Sequence, residues 1–461
     1  MKTLNHALTP RPSVFDKKRR DVVLDLTDLA DKKINPADFF AENFITKGME
    51  QLYEAVFRRL EGRSDDGIFK LTQAMGGGKT HNMIAVGLLA AFPEFRDKVM
   101  GQVYKSPFAY KARVIAFSGS QSAEFGIWGA IAEQLGKKEV FRDFYSPLKA
   151  PGMGEWINLL KGEPTLILLD ELPPYFQNAA TIAIGKGTLA DVTTHSLANL
   201  MNALGKAELS NVALVISDLQ ATYSKGSGAI TEALQNFENE TRRSARNFMP
   251  VQQNSEEIYH ILRKRLFEQE PDPAMADAVA SAYAAELKKA VQMDLTNELP
   301  EKLAAAIKSS YPFHPSLRDL YARFKENPGF QQTRGLIRFM RTVVAFMWDK
   351  DYGWADKNYL IHPYDIDPND QETLAELTAI NDTLANAISN DIASGGTAAA
   401  EKVAEESGND LPVRVARLIL VSSLSLIQGG NKGLKATELA ADLASPGADI
   451  MTLTSRIIPE L

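Results

Sequence analysis

The stretch Leu71-Thr72-Gln73-Ala74-Met75-Gly76-Gly77-Gly78-Lys79-Thr80 constrains this chain more than any other. A strand-like run, residues 68–71, leads into it, and an apolar, helix-compatible run, residues 79–91, leads out and stops near Pro93. Three consecutive glycines, Gly76, Gly77 and Gly78, let a backbone turn tightly and aim several N–H groups at one anion. The following helix would add its positive end. In such a loop Lys79 would reach the β- and γ-phosphates of a nucleotide, and the Thr80 hydroxyl would hold a magnesium ion. The full pattern wants a glycine at position 73, where this chain has Gln73, so the start of the loop departs from it.

The rest of the first half reads as an α/β fold. Residues 113–118 are strand-like and end in a Ser-Gly-Ser turn; a helix with Trp128, Ile131 and Leu135 follows. Residues 165–171 form a continuous apolar strand ending in two carboxylates, Asp170 and Glu171, and residues 211–218 form another with a polar end, Ser217-Asp218. Strands apolar throughout, with helices between them, predict a parallel sheet covered on both faces. Ligands of such sheets bind at the carboxyl ends of the strands, where the glycine loop and both polar strand ends fall.

Hydrolysis of a nucleotide needs a divalent ion and a positioned water, and the acidic strand end would supply both. Asp170 would contact the magnesium directly or through water, and Glu171 would polarise the attacking water as general base. The alternative is that the two acids only cap the turn that follows them. Ser217 and Asp218 would orient the water or sense the γ-phosphate, or else cap a loop. Arg242, Arg243 and Arg246 follow the core, where an arginine can enter a neighbouring subunit's site and meet charge developing on the transferred phosphoryl group; the alternative is a solvated helix face. Arg334, one helical turn before Arg338, would reach the γ-phosphate from a helical lid or lie on the surface. His81 would contact phosphate or base, or pack its helix. Pro173-Pro174-Tyr175-Phe176 would couple the acidic strand end to a partner, or belong to the core.

With 461 residues the chain is too long for one ordinary core. We expect an N-terminal arm (1–34), a sheet domain (35–250), a helical lid (251–365) and a C-terminal helical region (366–461). Within these, residues 35–59 read as one helix and 274–306 as an alanine-rich helical run. Residues 255–266 read as a helix behind an N-cap serine, 336–348 as a third apolar helix, and 365–371 as a polar linker. Two short helices, 437–443 and 449–458, around Ser445-Pro446-Gly447 resemble a helix-turn-helix or the start of a winged helix. The chain stops where a wing would be expected, which suggests a truncated winged helix; a packing module is the plainer reading. The absence of cysteine excludes disulfides and thiolate metal sites, and the six histidines include no pair at helical ligand spacing. A net charge of −7 argues against non-specific nucleic-acid binding by the molecule as a whole. The tetrad Lys17-Lys18-Arg19-Arg20 is either a local basic patch or a solvated arm. No signal-length or membrane-length apolar stretch is present, so a cytoplasmic location is expected.

Four segments together resemble a prokaryotic AAA+-type ATPase family long catalogued only as a domain of unknown function. They are Gly76-Gly77-Gly78-Lys79-Thr80-His81, Leu168-Leu169-Asp170-Glu171-Leu172-Pro173-Pro174-Tyr175, the lead-in Phe44-Ile45-Thr46-Lys47-Gly48-Met49, and Phe313-His314-Pro315-Ser316-Leu317. Members are encoded in anti-phage defence clusters beside DNA methyltransferases and helicases, and the BREX-associated PglY ATPase is similar. The resemblance implies an AAA+ sheet order, a helical lid, ATP with Mg2+, and defence partners of methyltransferase or helicase type. The leading expectation is an AAA+-like ATPase coupling hydrolysis to conformational change on DNA, in a possible homo-oligomer. Two rivals are a nucleotide-dependent switch or scaffold with little turnover, and a DNA-binding regulator using its C-terminal helices.

Overall fold

The computed structural model describes residues 1–16, 24–72, 78–107, 109–217, 239, 241, 243–250, 256–325, 327, 330, 332–351, 353–427, 429 and 432–448. The chain forms two compact units, Val23–Gln252 and Met1–Val22 with Gln253–Leu461.

The first unit is built on a five-stranded sheet. In chain order its strands are β1 (Ile68–Leu71), β2 (Arg113–Ser118), β3 (Thr165–Asp170), β4 (Val212–Ser217) and β5 (Arg246–Phe248). Their spatial order is β2-β3-β4-β1-β5, and every pairing is parallel. The chain leaves β1 for the far edge and works back, so the strand order switches direction at β1, the place where open parallel sheets form a ligand crevice.

Strand residues alternate between two cores, as the two-residue period of a strand requires. Leu166, Leu168, Ala213, Val215, Phe69 and Leu71 face one side. They meet helices α1 (Lys47–Leu60) and α2 (Lys79–Ala91) there. Ile167, Leu169, Leu214, Ile216, Ile115 and Phe117 face the other side, under α3 (Gly126–Gln134), α4 (Met153–Leu160), α5 (Leu172–Ala179) and α6 (Leu189–Leu204). Helix α2 is buried from Asn82 through Ala90, which accounts for a sequence apolar on all sides rather than along one stripe.

Two side chains tie off backbone that the sheet leaves open. The Arg59 guanidinium, buried at the end of α1, donates to the carbonyls of Ser64, Asp65, Leu204, Leu209 and Val212. On the edge strand β2, the Gln134 amide accepts from Ala116 N–H at 3.0 Å and donates to Ala116 C=O at 2.9 Å, taking the place of a neighbouring strand.

The second unit is helical. It contains α7 (Glu257–Leu266), α8 (Pro273–Gln292), α9 (Pro300–Ser310), α10 (Ser316–Phe324), α11 (Gln332–Met347), α12 (Gln371–Ile380), α13 (Ala399–Ser407), α14 (Leu411–Ser422) and α15 (Ala436–Leu443). Among the described residues no helix is long and apolar enough to cross a membrane.

The structure corrects several expected boundaries. Residues 1–16 are not a loose arm: Leu4, Leu8 and Val14 are buried in the helical core, and Arg11 N–H bonds to Leu266 C=O at 2.9 Å. The separate lid (251–365) and C-terminal region (366–461) fall within one unit, whose main core includes residues from both. The stretch read as a linker from Asp365 begins in that core, where His362, Tyr364, Asp365 and Ile366 are buried. The helix expected over 35–59 is two, Pro36–Ala41 and α1, because Thr46 caps α1 by accepting from Met49 N–H. The run 274–306 is likewise two helices, the first ending at Gln292 just before Asp294 turns left-handed at φ 58°, the second started by Pro300. One of the two expected C-terminal helices is α15; residues 449–458 lie outside the described residues, as do Lys17-Lys18-Arg19-Arg20 and Ser255.

Candidate functional site

The carboxyl ends of β1, β4 and β3 lie side by side, because β4 is hydrogen-bonded to both of the others. Gly78 opens α2 at φ 88°, a left-handed conformation that favours glycine. Lys79 and Thr80 then occupy the first turn of α2, with N–H groups that have no partner within the helix. Gly76, Gly77 and Gln73 lie outside the described residues.

Asp170, the last residue of β3, is 2% exposed, and its two oxygens are engaged separately. Thr80 Oγ1 donates to Oδ2 at 2.5 Å, and Glu171 N–H donates to Oδ1 at 2.9 Å. The hydroxyl read as a magnesium ligand and the carboxylate read as its partner are thus brought together across ninety residues. Among the described residues no group of three or more acidic or histidine side chains converges. One hydroxyl and one carboxylate are oxygen donors of the kind that magnesium takes when phosphate oxygens and water complete its shell.

Glu171 is exposed and left-handed, at φ 48° and ψ 40°. That conformation costs a residue with a side chain about 1–2 kcal/mol. Hydrogen bonding holds it there: Glu171 N–H also reaches Ser217 Oγ, the end of β4, at 3.2 Å. The prolines after it begin α5 rather than a loop, in first-turn positions where no N–H is missed. Tyr175 and Phe176 are core, with Tyr175 edge-on to Phe117 at 5.7 Å and its phenol pushed up by burial.

The remaining expected residues scatter. His81 bonds through Nε2 to Asn43 Oδ1 and stacks on Phe39 at 4.6 Å, which fits the packing reading of this histidine. Arg246 pairs with Phe69 in the ladder, two residues before the β5 end. It lies 3.6 Å from Asp66, which precedes β1, and so sits toward the amino side of the sheet rather than with Thr80 and Asp170. Arg243 is exposed; Arg242 and Asp218 lie outside the described residues. Arg334 is exposed on α11 in the helical unit, while Arg338 pairs with Glu376 at 2.9 Å.

Sequence reasoning missed Gly119 and Asn43. Gly119 N–H donates to Asp170 C=O at 2.9 Å, and the glycine lies against the Glu171 peptide. Its only signal was the Ser118-Gly119-Ser120 turn at the same sheet end. Asn43 stood beside the lead-in segment with no pattern to mark it.

The DUF499 N-terminal domain matches residues 13–101 and 120–249, and the DUF499 second domain matches residues 253–444. The short gap between the two matches, residues 250–252, falls where the sheet unit gives way to the helical unit. No curated protein matches the chain. Because both domains are matched in order over most of its length, this protein belongs to the DUF499 family.

Proposed function

We propose that the sheet unit binds and hydrolyses ATP with magnesium. The observation that carries this reading is the Thr80–Asp170 contact, which joins the first turn of α2 to the acidic end of β3 at the strand-order switch. The parallel sheet with its flanking helices is compatible with a P-loop-like fold. Lys79 at the head of α2 would meet the β- and γ-phosphates, aided by the positive end of the helix. Thr80 Oγ1 and Asp170 would hold magnesium, which would supply positive charge to offset that of the phosphates. Glu171, fixed at its backbone and exposed at its side chain, would take the proton of the attacking water.

The AAA+ resemblance extends the proposal to a lid supplied by the helical unit and to a role in a phage-defence assembly acting on DNA. On this reading the protein is cytoplasmic, with methyltransferase- or helicase-type partners and a homo-oligomer in which Arg242, Arg243 or Arg246 serves a neighbouring site. The α15 helix would open a winged helix. A switch with little turnover is the rival within the same fold.

Steady-state phosphate release and nucleotide affinity test the proposal, with and without double-stranded DNA. Wild type should turn over ATP. Lys79→Ala should lose nucleotide binding, and Glu171→Gln should keep binding while turnover falls at least about a hundredfold. Tight binding without turnover in every condition would replace the ATPase with the switch, and unaltered turnover by Glu171→Gln would remove the assigned base.

A further inference from the structure

Glu171 adopts its left-handed backbone at the N-cap of α5, a position where extended backbone is usual. The ladder explains what lies against it. Ser118 pairs with Asp170 at the end of the β2–β3 register, so the next residues on each strand, Gly119 and Glu171, leave the sheet together. A Cβ built on Gly119 would lie 1.9 Å from the Glu171 carbonyl oxygen, 2.7 Å from its carbonyl carbon and 2.8 Å from Leu172 Cα. All three are backbone atoms, so no rotamer change relieves the overlap. Any side chain at 119 must displace the Glu171–Leu172 peptide itself.

The preceding peptide, Asp170–Glu171, is held from three directions. Gly119 N–H grips Asp170 C=O, Asp170 Oδ1 accepts Glu171 N–H, and Ser217 Oγ accepts the same N–H from the far side. Asp170 and Ser217 fix the nitrogen side of Glu171, and Gly119 limits where its carbonyl side can go. A side chain on a mobile backbone would sample many orientations; here the backbone is closed in on both sides.

We propose that Gly119 is a positioning residue for Glu171: its bare Cα lets the turn after β2 close on the Glu171 peptide and set the direction in which the general base leaves the sheet. Ser217 supports the preceding peptide by hydrogen bonding. This rests on the ATPase reading and deepens it, adding to that site a residue with no functional group of its own. Gly119 acts through Glu171 and not on the nucleotide itself.

The test is single-turnover ATP hydrolysis beside nucleotide affinity for wild type, Gly119→Ala and Ser217→Ala, each repeated with Glu171→Gln, with melting temperature recorded for all. Gly119→Ala should lower the hydrolysis rate at least about tenfold and leave the nucleotide Kd within about twofold, because the change lies at the base and not at the phosphate loop. Ser217→Ala, which leaves Asp170 Oδ1 as acceptor, should lower the rate by a smaller factor. Neither should slow the Glu171→Gln enzyme further, since both act through the group already removed. A Gly119→Ala enzyme with the wild-type rate overturns the inference and leaves the ATPase standing. So does a loss that adds fully to that of Glu171→Gln, or one that appears equally in Kd. Should Gly119→Ala fail to fold, Ser217→Ala decides by the same non-additivity. A wild type that binds ATP without turnover overturns both readings.

Discussion

Asp170 shows how much a single buried carboxylate depends on its immediate donors. It is 2% exposed, and the Thr80 hydroxyl is one of the two donors described for it. Removing that hydroxyl leaves Oδ2 short of a partner inside the protein, which costs about 1–3 kcal/mol. Thr80→Ala should therefore lower the melting temperature of the nucleotide-free protein, while Thr80→Ser, which keeps the donor, should stay near wild type. The same pair separates structure from metal binding. Thr80→Ala should also raise the magnesium concentration needed for half-maximal ATP hydrolysis, and Thr80→Ser should not. Equal magnesium requirements in all three proteins would remove Thr80 from the metal site.

Among the elements, α1 depends most visibly on one side chain. Arg59 ends that helix beneath the sheet and binds five backbone carbonyls from the loop after α1, the end of α6, the segment beyond it and the start of β4. Those carbonyls cannot all find water once the guanidinium is gone. Arg59→Met should destabilise the sheet unit by at least about 1–3 kcal/mol, the cost of one buried carbonyl left without a donor. Arg59→Lys should recover only part of this, because an ammonium lacks the planar fork of five donors. Chemical denaturation of the three proteins checks both statements; a lysine variant as stable as wild type would show that charge alone suffices. The open edge of β2 is managed at the same scale by Gln134, whose amide occupies Ala116 on both its N–H and its C=O. Helices at these positions follow from periodicity. The side chains that seal them are single polar residues with no periodic signature.

In the molecule as a whole, two separately organised cores need not respond alike to pH. The helical unit partly buries Asp442 on α15, with its carboxyl pushed up to about 7 by desolvation against a lowering hydrogen bond from Ser316, while Glu298, Glu438 and Asp319 add repulsion. His314 lies 4.0 Å from it and is held well below the usual histidine value, chiefly by burial and also by His362. A carboxyl raised on folding contributes stability that is full below its unfolded value and lost as pH rises through about 7. A histidine lowered on folding acts oppositely, losing stability as pH falls below its unfolded value of 6.5. Above that value the Asp442 slope acts without His314. Asp442→Asn should therefore melt higher than wild type near about pH 8, by on the order of 2 kcal/mol, with the gain shrinking toward about pH 5. A gain that grows on acidification would reverse the assignment.

The sequence by itself determined the strand–glycine–helix unit, the parallel sheet and the acidic end of β3. Each is written in local signals: the run from Gly76 to Thr80, the apolar continuity of residues 165–169, and the polar residues that end it. It also made Thr80, Asp170, Glu171 and Ser217 candidates one at a time. Only the tertiary structure decided that β4 lies between β1 and β3, so that Thr80 meets Asp170 and Ser217 meets Glu171. It alone placed Gly119 on the Glu171 backbone, drew Leu4, Leu8 and Val14 into the helical core, and buried Asp365 where a linker was expected. The physical reason is common to all of these. Periodicity and turn chemistry act over a few residues, whereas strand order and the burial of isolated polar groups are set by contacts between segments far apart in the chain, which leave no pattern in either segment.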